Sequence, residues 1–110
     1  MPVTPANFRA IALAFEGVTE APHFDRTAFR AARIFATLAA EEKSANLNFA
    51  PAEQEFKCLL APEAFSPVPG GWGRLGWTTC VLAKVSQAEL KAGLELAYEA
   101  ARKKPGKKRR

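Results

Sequence analysis

Histidine occurs once, as His23, and cysteine twice, as Cys58 and Cys80, in the 110 residues of this chain. With no CxxC spacing and no second histidine, a zinc site is excluded, and no metal or other cofactor is expected. The two cysteines stand 22 positions apart, in a predicted helix and a predicted strand, and read as small buried hydrophobes kept reduced. Apolar runs are short. None approaches the roughly 18–20 residues that cross a bilayer, and the N-terminus lacks the basic-then-apolar layout of a signal peptide, so a cytoplasmic protein without membrane contact is expected. No catalytic motif is recognisable, and no Ser or Cys nucleophile is identifiable beside His23.

What is abundant is apolar residue, 48% of the chain, enough for one compact core in a single domain. Positive charge is plentiful too, with a net of +5, but it is unevenly placed. The last nine residues, Arg-Lys-Lys-Pro-Gly-Lys-Lys-Arg-Arg, hold seven cations and no carboxylate, whereas residues 1–101 carry nine basic against eleven acidic residues. The division expected is therefore a mildly acidic domain over 1–101 and a disordered basic tail over 102–110.

Periodicity supplies the elements. Thr4 and Pro5 open a helix whose stripe is Phe8, Ile11, Ala12 and Phe15, with Gly17 at its end. Alternation then predicts strands near 18–24, 27–38 (bent or split by a hairpin at Ala31-Ala32) and 45–49. In the last of these, Ala45, Leu47 and Phe49 share one face, and Asn46 and Asn48 the other. Glu41-Glu42-Lys43-Ser44 forms the polar turn between strands. A second helix runs from Pro51 to Pro62, with Ala52, Phe56, Leu59 and Leu60 as its buried stripe. Residues 65–76 are too rich in Pro and Gly for regular structure and lead into a strand from about Leu75 to Ala83. Ser86 and Glu89 form a capping box for a final helix that buries Leu90, Leu94, Ala97, Tyr98 and Ala101 and ends at Pro105-Gly106. The order α-β-β-β-α-β-α implies an α+β two-layer sandwich. Helices cover one face of an antiparallel sheet, and the other face is open to solvent or a partner.

The stretches Pro22-His23-Phe24-Asp25-Arg26-Thr27-Ala28-Phe29-Arg30 and Pro69-Gly70-Gly71-Trp72-Gly73-Arg74-Leu75-Gly76-Trp77-Thr78, together with Arg33-Ile34-Phe35-Ala36-Thr37-Leu38, resemble the MmcQ/YjbR family. These are small bacterial proteins often labelled DNA-binding, and the likeness runs from about Phe8 to Ala101. The resemblance implies a fold akin to frataxin-like and secretion-chaperone-like folds, with a proposed double-wing mode of binding DNA. Family members commonly carry glycines in the hairpin where this chain has Ala31-Ala32. Alanine resists positive φ, so a tight primed turn is not expected there. The basic tail lies outside the resemblance.

Several residues admit both a functional and a structural reading. His23 is an acid–base candidate or a hydrogen-bonded structural histidine, and a strand places Asp25 on the face opposite His23's immediate neighbours. Trp72 and Trp77 can stack on bases with Arg74 pairing to phosphate, or can pack inward, Trp77 as a plug in the core. Arg26, Arg30 and Arg33 join Asn46 and Asn48 on the open face as phosphate forks and base-edge amides, or are solvated. In the tail, Lys103, Lys104, Lys107, Lys108, Arg109 and Arg110 supply salt-dependent affinity for nucleic acid without sequence information. The leading expectation is thus a non-enzymatic DNA-binding (nucleic-acid-binding) protein. Its rivals are an adaptor or homodimer that uses the open sheet face, and a small-ligand or enzymatic site around His23 and Trp72. The last requires a concave pocket joining those two residues.

Overall fold

The computed structural model describes residues 3–41 and 43–102. Helix α1 (Pro5–Ala14) starts at Thr4, whose hydroxyl accepts from the Asn7 N–H while the Asn7 side chain accepts from the Thr4 N–H. Four strands follow: β1 (Thr19–His23), β2 (Arg26–Arg30), β3 (Ile34–Ala39) and β4 (Ser44–Asn48). Helix α2 (Pro51–Leu60), strand β5 (Phe65–Pro67), the single turn α3 (Gly71–Arg74), strand β6 (Trp77–Val81), a 3-10 turn (Leu82–Lys84) and helix α4 (Gln87–Arg102) complete the order. All strand pairs are antiparallel, in the spatial order β1-β2-β3-β4-β6-β5. This is the expected α+β architecture, an open sheet with helices, with finer divisions than the sequence pattern showed.

Those divisions have local causes. The long predicted strand over 27–38 is two strands joined through residues 31–33, where the Ala31 N–H donates to the Arg33 carbonyl at 3.0 Å. Neither Ala31 nor Ala32 has positive φ; the register shifts instead, Phe29 facing Ala36 and Arg30 facing Ile34. Phe35 is the unmatched residue, and this bulge lets Phe35 and Ala36 be fully buried in succession, against strict alternation. The Pro/Gly-rich stretch over 65–76 is not wholly irregular. Phe65 pairs with Cys80 at the sheet edge, where Pro67 is tolerated, and the chain then makes the α3 turn. Strand β6 begins at Trp77, two residues later than expected, because Gly76 sits at φ +100° and breaks the extended backbone.

The core lies between the sheet and helices α1 and α4. Phe8 meets Phe29 edge to face at 5.5 Å, and Tyr98 stacks on Phe15 at 4.8 Å while donating its hydroxyl to the Glu16 carbonyl at 2.6 Å. On α4 the expected stripe Leu90, Leu94, Ala97, Tyr98 and Ala101 is buried, capped as expected by reciprocal Ser86 and Glu89 bonds of 3.0 and 3.1 Å. The helix extends through Arg102, whose guanidinium pairs with Glu99 and lies over the Tyr98 ring, so Arg102 belongs to the helix rather than to the tail. Residues 103–110 lie outside the described residues, and with them the expected helix end at Pro105-Gly106 and the six tail cations.

Helix α2 corrects the expectation most. Phe56, Leu59 and Leu60 are 55%, 77% and 67% exposed and Ala52 is exposed, so the apolar stripe faces outward. The inward side is Gln54, Lys57, Cys58 and Ala61, also at helical spacing, because Gln54 Nε2 donates to the Gly73 and Trp77 carbonyls at 2.9 and 3.1 Å. That anchor turns the helix. Cys58 is accordingly half-buried, while Cys80 is fully buried. Among the described residues no helix is long and apolar enough to cross a membrane.

Burial, with Glu89 nearby, pushes the Cys80 thiol up to about 12. The folded state therefore favours the neutral thiol, and this contribution to stability is complete below the ordinary value of 9.0 and fades as pH rises from there toward about 12. A thiol reagent applied at pH 8 is expected to modify Cys58 in the native protein and spare Cys80, and to modify both once the chain is unfolded. Equal native-state rates, read by peptide mass spectrometry, would contradict this burial.

Candidate functional site

The sheet face turned away from α1 and α4 carries a continuous cross-strand row. Ala21, Ala28, Thr37, Asn46, Thr79 and Ser66 are successive register partners across all six strands and so share one face. One step along, His23 faces Arg26, which faces Ala39. Trp77, partner of Asn48, lies on the same outer face and is only half-buried, so it does not plug the core. The core needed no indole there, since Phe49, Phe65, Leu47 and Cys80 already fill the inner side of these strands.

A cleft of about 310 Å³ opens on this face. Its walls are the indoles of Trp72 and Trp77 with Val68 on one side, and the β1–β2 hairpin residues His23, Phe24, Asp25 and Arg26 on the other. Thr37 and Asn46 form the floor. Arg26 Nε donates to Thr37 Oγ1 at 2.8 Å, which fixes the guanidinium against the sheet. Thr79 Oγ1 donates to Asn46 Oδ1 at 3.1 Å, which orients that amide. Asp25 is the one carboxylate in the lining. The tight β1–β2 turn gives Phe24 a φ of 58°, the one positive φ outside glycine among the described residues, and leaves its ring 93% exposed at the rim.

Trp72 is held from behind. Its neighbour Gly73 passes so close to Val68 that a Cβ would collide with the Val68 carbonyl, and a Cβ on Gly76 would collide with the Phe49 carbonyl. The Phe49 N–H donates to the Gly76 carbonyl and the Val68 N–H to the Trp77 carbonyl, each at 3.0 Å. The glycines of Gly-Trp-Gly-Arg-Leu-Gly thus let the loop lie flat on the sheet edge and project Trp72 outward, 63% exposed.

Of the residues singled out from sequence, the cleft unites His23, Arg26, Asn46, Trp72 and Trp77. Arg30 lies exposed further along β2, opposite Thr19 and outside the cleft. Arg33 does not join them: its guanidinium donates to the Ala100 carbonyl of α4 at 3.1 Å, and it lines a separate hollow with Asn48 and Leu75. Arg74 is exposed at the end of α3, beyond the cleft lining. Among the described residues His23 makes no hydrogen bond, only an edge contact with Phe24 at 4.8 Å, so it is not the hydrogen-bonded structural histidine considered above. Asp25 sits in the turn and lines the same cleft as His23. Phe24, Thr37 and Val68 were not singled out; for Thr37 the cue was available in the alternation of 34–38. No group of three or more His, Cys, Asp or Glu able to hold a metal occurs among the described residues.

Fold and cleft together define a small α+β domain with an aromatic hollow on the open face of its sheet. A family model, YjbR, matches residues 13–100, and the chain belongs to the YjbR family. Among solved structures it is similar to protein DR2400 of Deinococcus radiodurans, described by the domain family DUF419. The TM-score is 0.80 at 19% identity, over 96% of this chain and 83% of that one. No curated protein matches.

Replacing Gly76 by Ala is expected to cost about 2–4 kcal/mol in chemical unfolding, since the positive φ and the close Phe49 carbonyl act together. Gly71→Ala, with open space around the new methyl, is expected to change stability by less than about 0.5 kcal/mol. Equal effects of the two substitutions would contradict the close approach that projects Trp72.

Proposed function

We propose that this protein binds nucleic acid without catalysing a reaction, and that its folded domain engages single strands, with an unpaired base entering the cleft. The observation that carries this reading is the meeting of Trp72, Trp77 and Arg26 in one hollow on an open sheet. Aromatic surfaces accept any base by stacking, and a nearby guanidinium accompanies the backbone phosphate. The hollow's volume suits one base and is far too small for a duplex, whose grooves are read by protruding helices or ribbons. Arg30, on the same strand as Arg26, extends positive charge along the face, and the basic tail adds affinity that is sensitive to salt and blind to sequence. An acid–base role for His23 lacks a partner that would orient the ring, and no Ser or Cys lines the cleft. Phe24 and Trp72 are the exposed large apolar side chains at the cleft, and the outer row between its walls carries the polar Thr37, Asn46, Thr79 and Ser66, which is a poor surface for an adaptor.

Fluorescence polarisation at low salt tests the proposal with the full chain. Labelled single-stranded DNA is expected to bind more tightly than duplex of the same sequence. Trp72→Ala is expected to weaken single-strand binding by about 1–3 kcal/mol. Because the indole is 63% exposed, that variant is expected to melt at the wild-type temperature. The variant retains the tail, so full affinity in Trp72→Ala would mean that the tail alone binds, and the cleft reading would fall.

A further inference from the structure

The floor of the cleft is polar in a one-sided way. Asn46 Oδ1 accepts from the Thr79 hydroxyl, while the Asn46 Nδ2 hydrogens have no partner among the described residues. Thr37 Oγ1 accepts from Arg26 Nε at 2.8 Å, and its own hydroxyl hydrogen remains to be donated. Thr37 is only 6% exposed, and among the described residues that hydrogen meets no acceptor. A buried donor without an acceptor is costly, and a ligand that supplies the acceptor recovers the loss. Arg26, also in the lining, adds further N–H groups and no acceptor. Thr37 and Asn46 are register partners on adjacent strands, so the two side chains stand next to each other on the cleft floor.

We infer that the cleft selects heterocycles whose edge presents acceptors, the keto bases guanine and thymine or uracil, over the amino bases adenine and cytosine. Guanine offers O6 and N7 side by side, whereas adenine breaks the pair with an N6 donor; thymine offers O4 where cytosine carries an N4 donor. Within each pair the rings are alike in size, so stacking on Trp72 and Trp77 does not discriminate, and the floor does. This selectivity rests on the single-strand reading above for its natural ligand, but its chemistry belongs to the floor alone.

The test uses labelled decamers of abasic spacers that carry one central base, titrated against the full chain by fluorescence anisotropy. The guanine and thymine decamers are expected to bind about tenfold more tightly than their adenine and cytosine counterparts. Asn46→Asp, which puts acceptors where the amide donor was, is expected to reverse the guanine-to-adenine ratio, and Thr37→Val to flatten it. Equal affinity for the four bases, or a preference that survives both substitutions, overturns the inference and leaves the single-strand reading standing. If no decamer binds, the single-strand reading falls, and dGMP against dAMP, followed by quenching of the two cleft tryptophans, decides the inference. A preference for dGMP then upholds it with a free nucleotide as ligand; equal or absent binding overturns it.

Discussion

The seam between α4 and the inner face of β3 and β4 is the constraint on which the outer face depends. Leu90, Leu94 and Ala97 are at most 1% exposed, and Gly93 lets the helix settle close to the Phe49 ring and Leu47. Full burial of side chains such as Leu47 and Leu94 stabilises by about 1.5–3 kcal/mol each, and a strand slipped by one residue would forfeit it by turning every inward side chain to solvent. Since Leu47 must point toward α4, Asn46 must point away, and the same necessity fixes Thr37 beside it and Thr79 beyond. The cleft floor is thus the other side of the core's pattern, and its geometry inherits the core's rigidity.

The walls are held differently. Trp72 sits on a single helical turn that buries only Gly73, so hydrophobic packing does little to fix it. What does fix it is backbone bonding to both neighbouring strands through Val68, Trp77, Phe49 and Gly76, reinforced by the double donation of Gln54. Each such bond is worth about 0.5–1.5 kcal/mol, and Gln54 adds a second donor to carbonyls that already accept from the Gly76 and Val68 N–H groups. This explains why α2 presents a polar glutamine inward and leaves Phe56, Leu59 and Leu60 outside: the helix serves the loop rather than the core.

That inversion marks the limit of what periodicity reveals. For α1, β4 and α4 the apolar stripe and the buried face coincide, because each packs on the main core, and their caps at Thr4, Ser86 and Glu89 were readable residue by residue. For α2 the two diverge, since the helix docks at the sheet edge, and a pattern of apolar spacing carries no sign of which face a glutamine will be asked to satisfy. The bulge at Phe35 is hidden for a related reason: two successive buried positions look like a break in alternation unless the register is known. At the site, Trp72, Arg26 and His23 stood out as types. That Trp77 would join them on the outer face followed only from its pairing with Asn48, and that Arg33 would turn to α4 followed from the position of Ala100, 67 residues further along the chain.

Phe24 brings the strands of this reasoning together. A bulky residue at φ 58° carries backbone strain of about 1–2 kcal/mol, and a ring left 93% exposed gains almost nothing from burial to offset it. Folding alone would be served better by Gly or Asn in that turn. The ring's contacts run to His23 and to the cleft rim, opposite the wall that Trp72 and Trp77 supply. The strain is thus kept where the core has no use for it, on the hairpin that lines the cleft across from the aromatic wall.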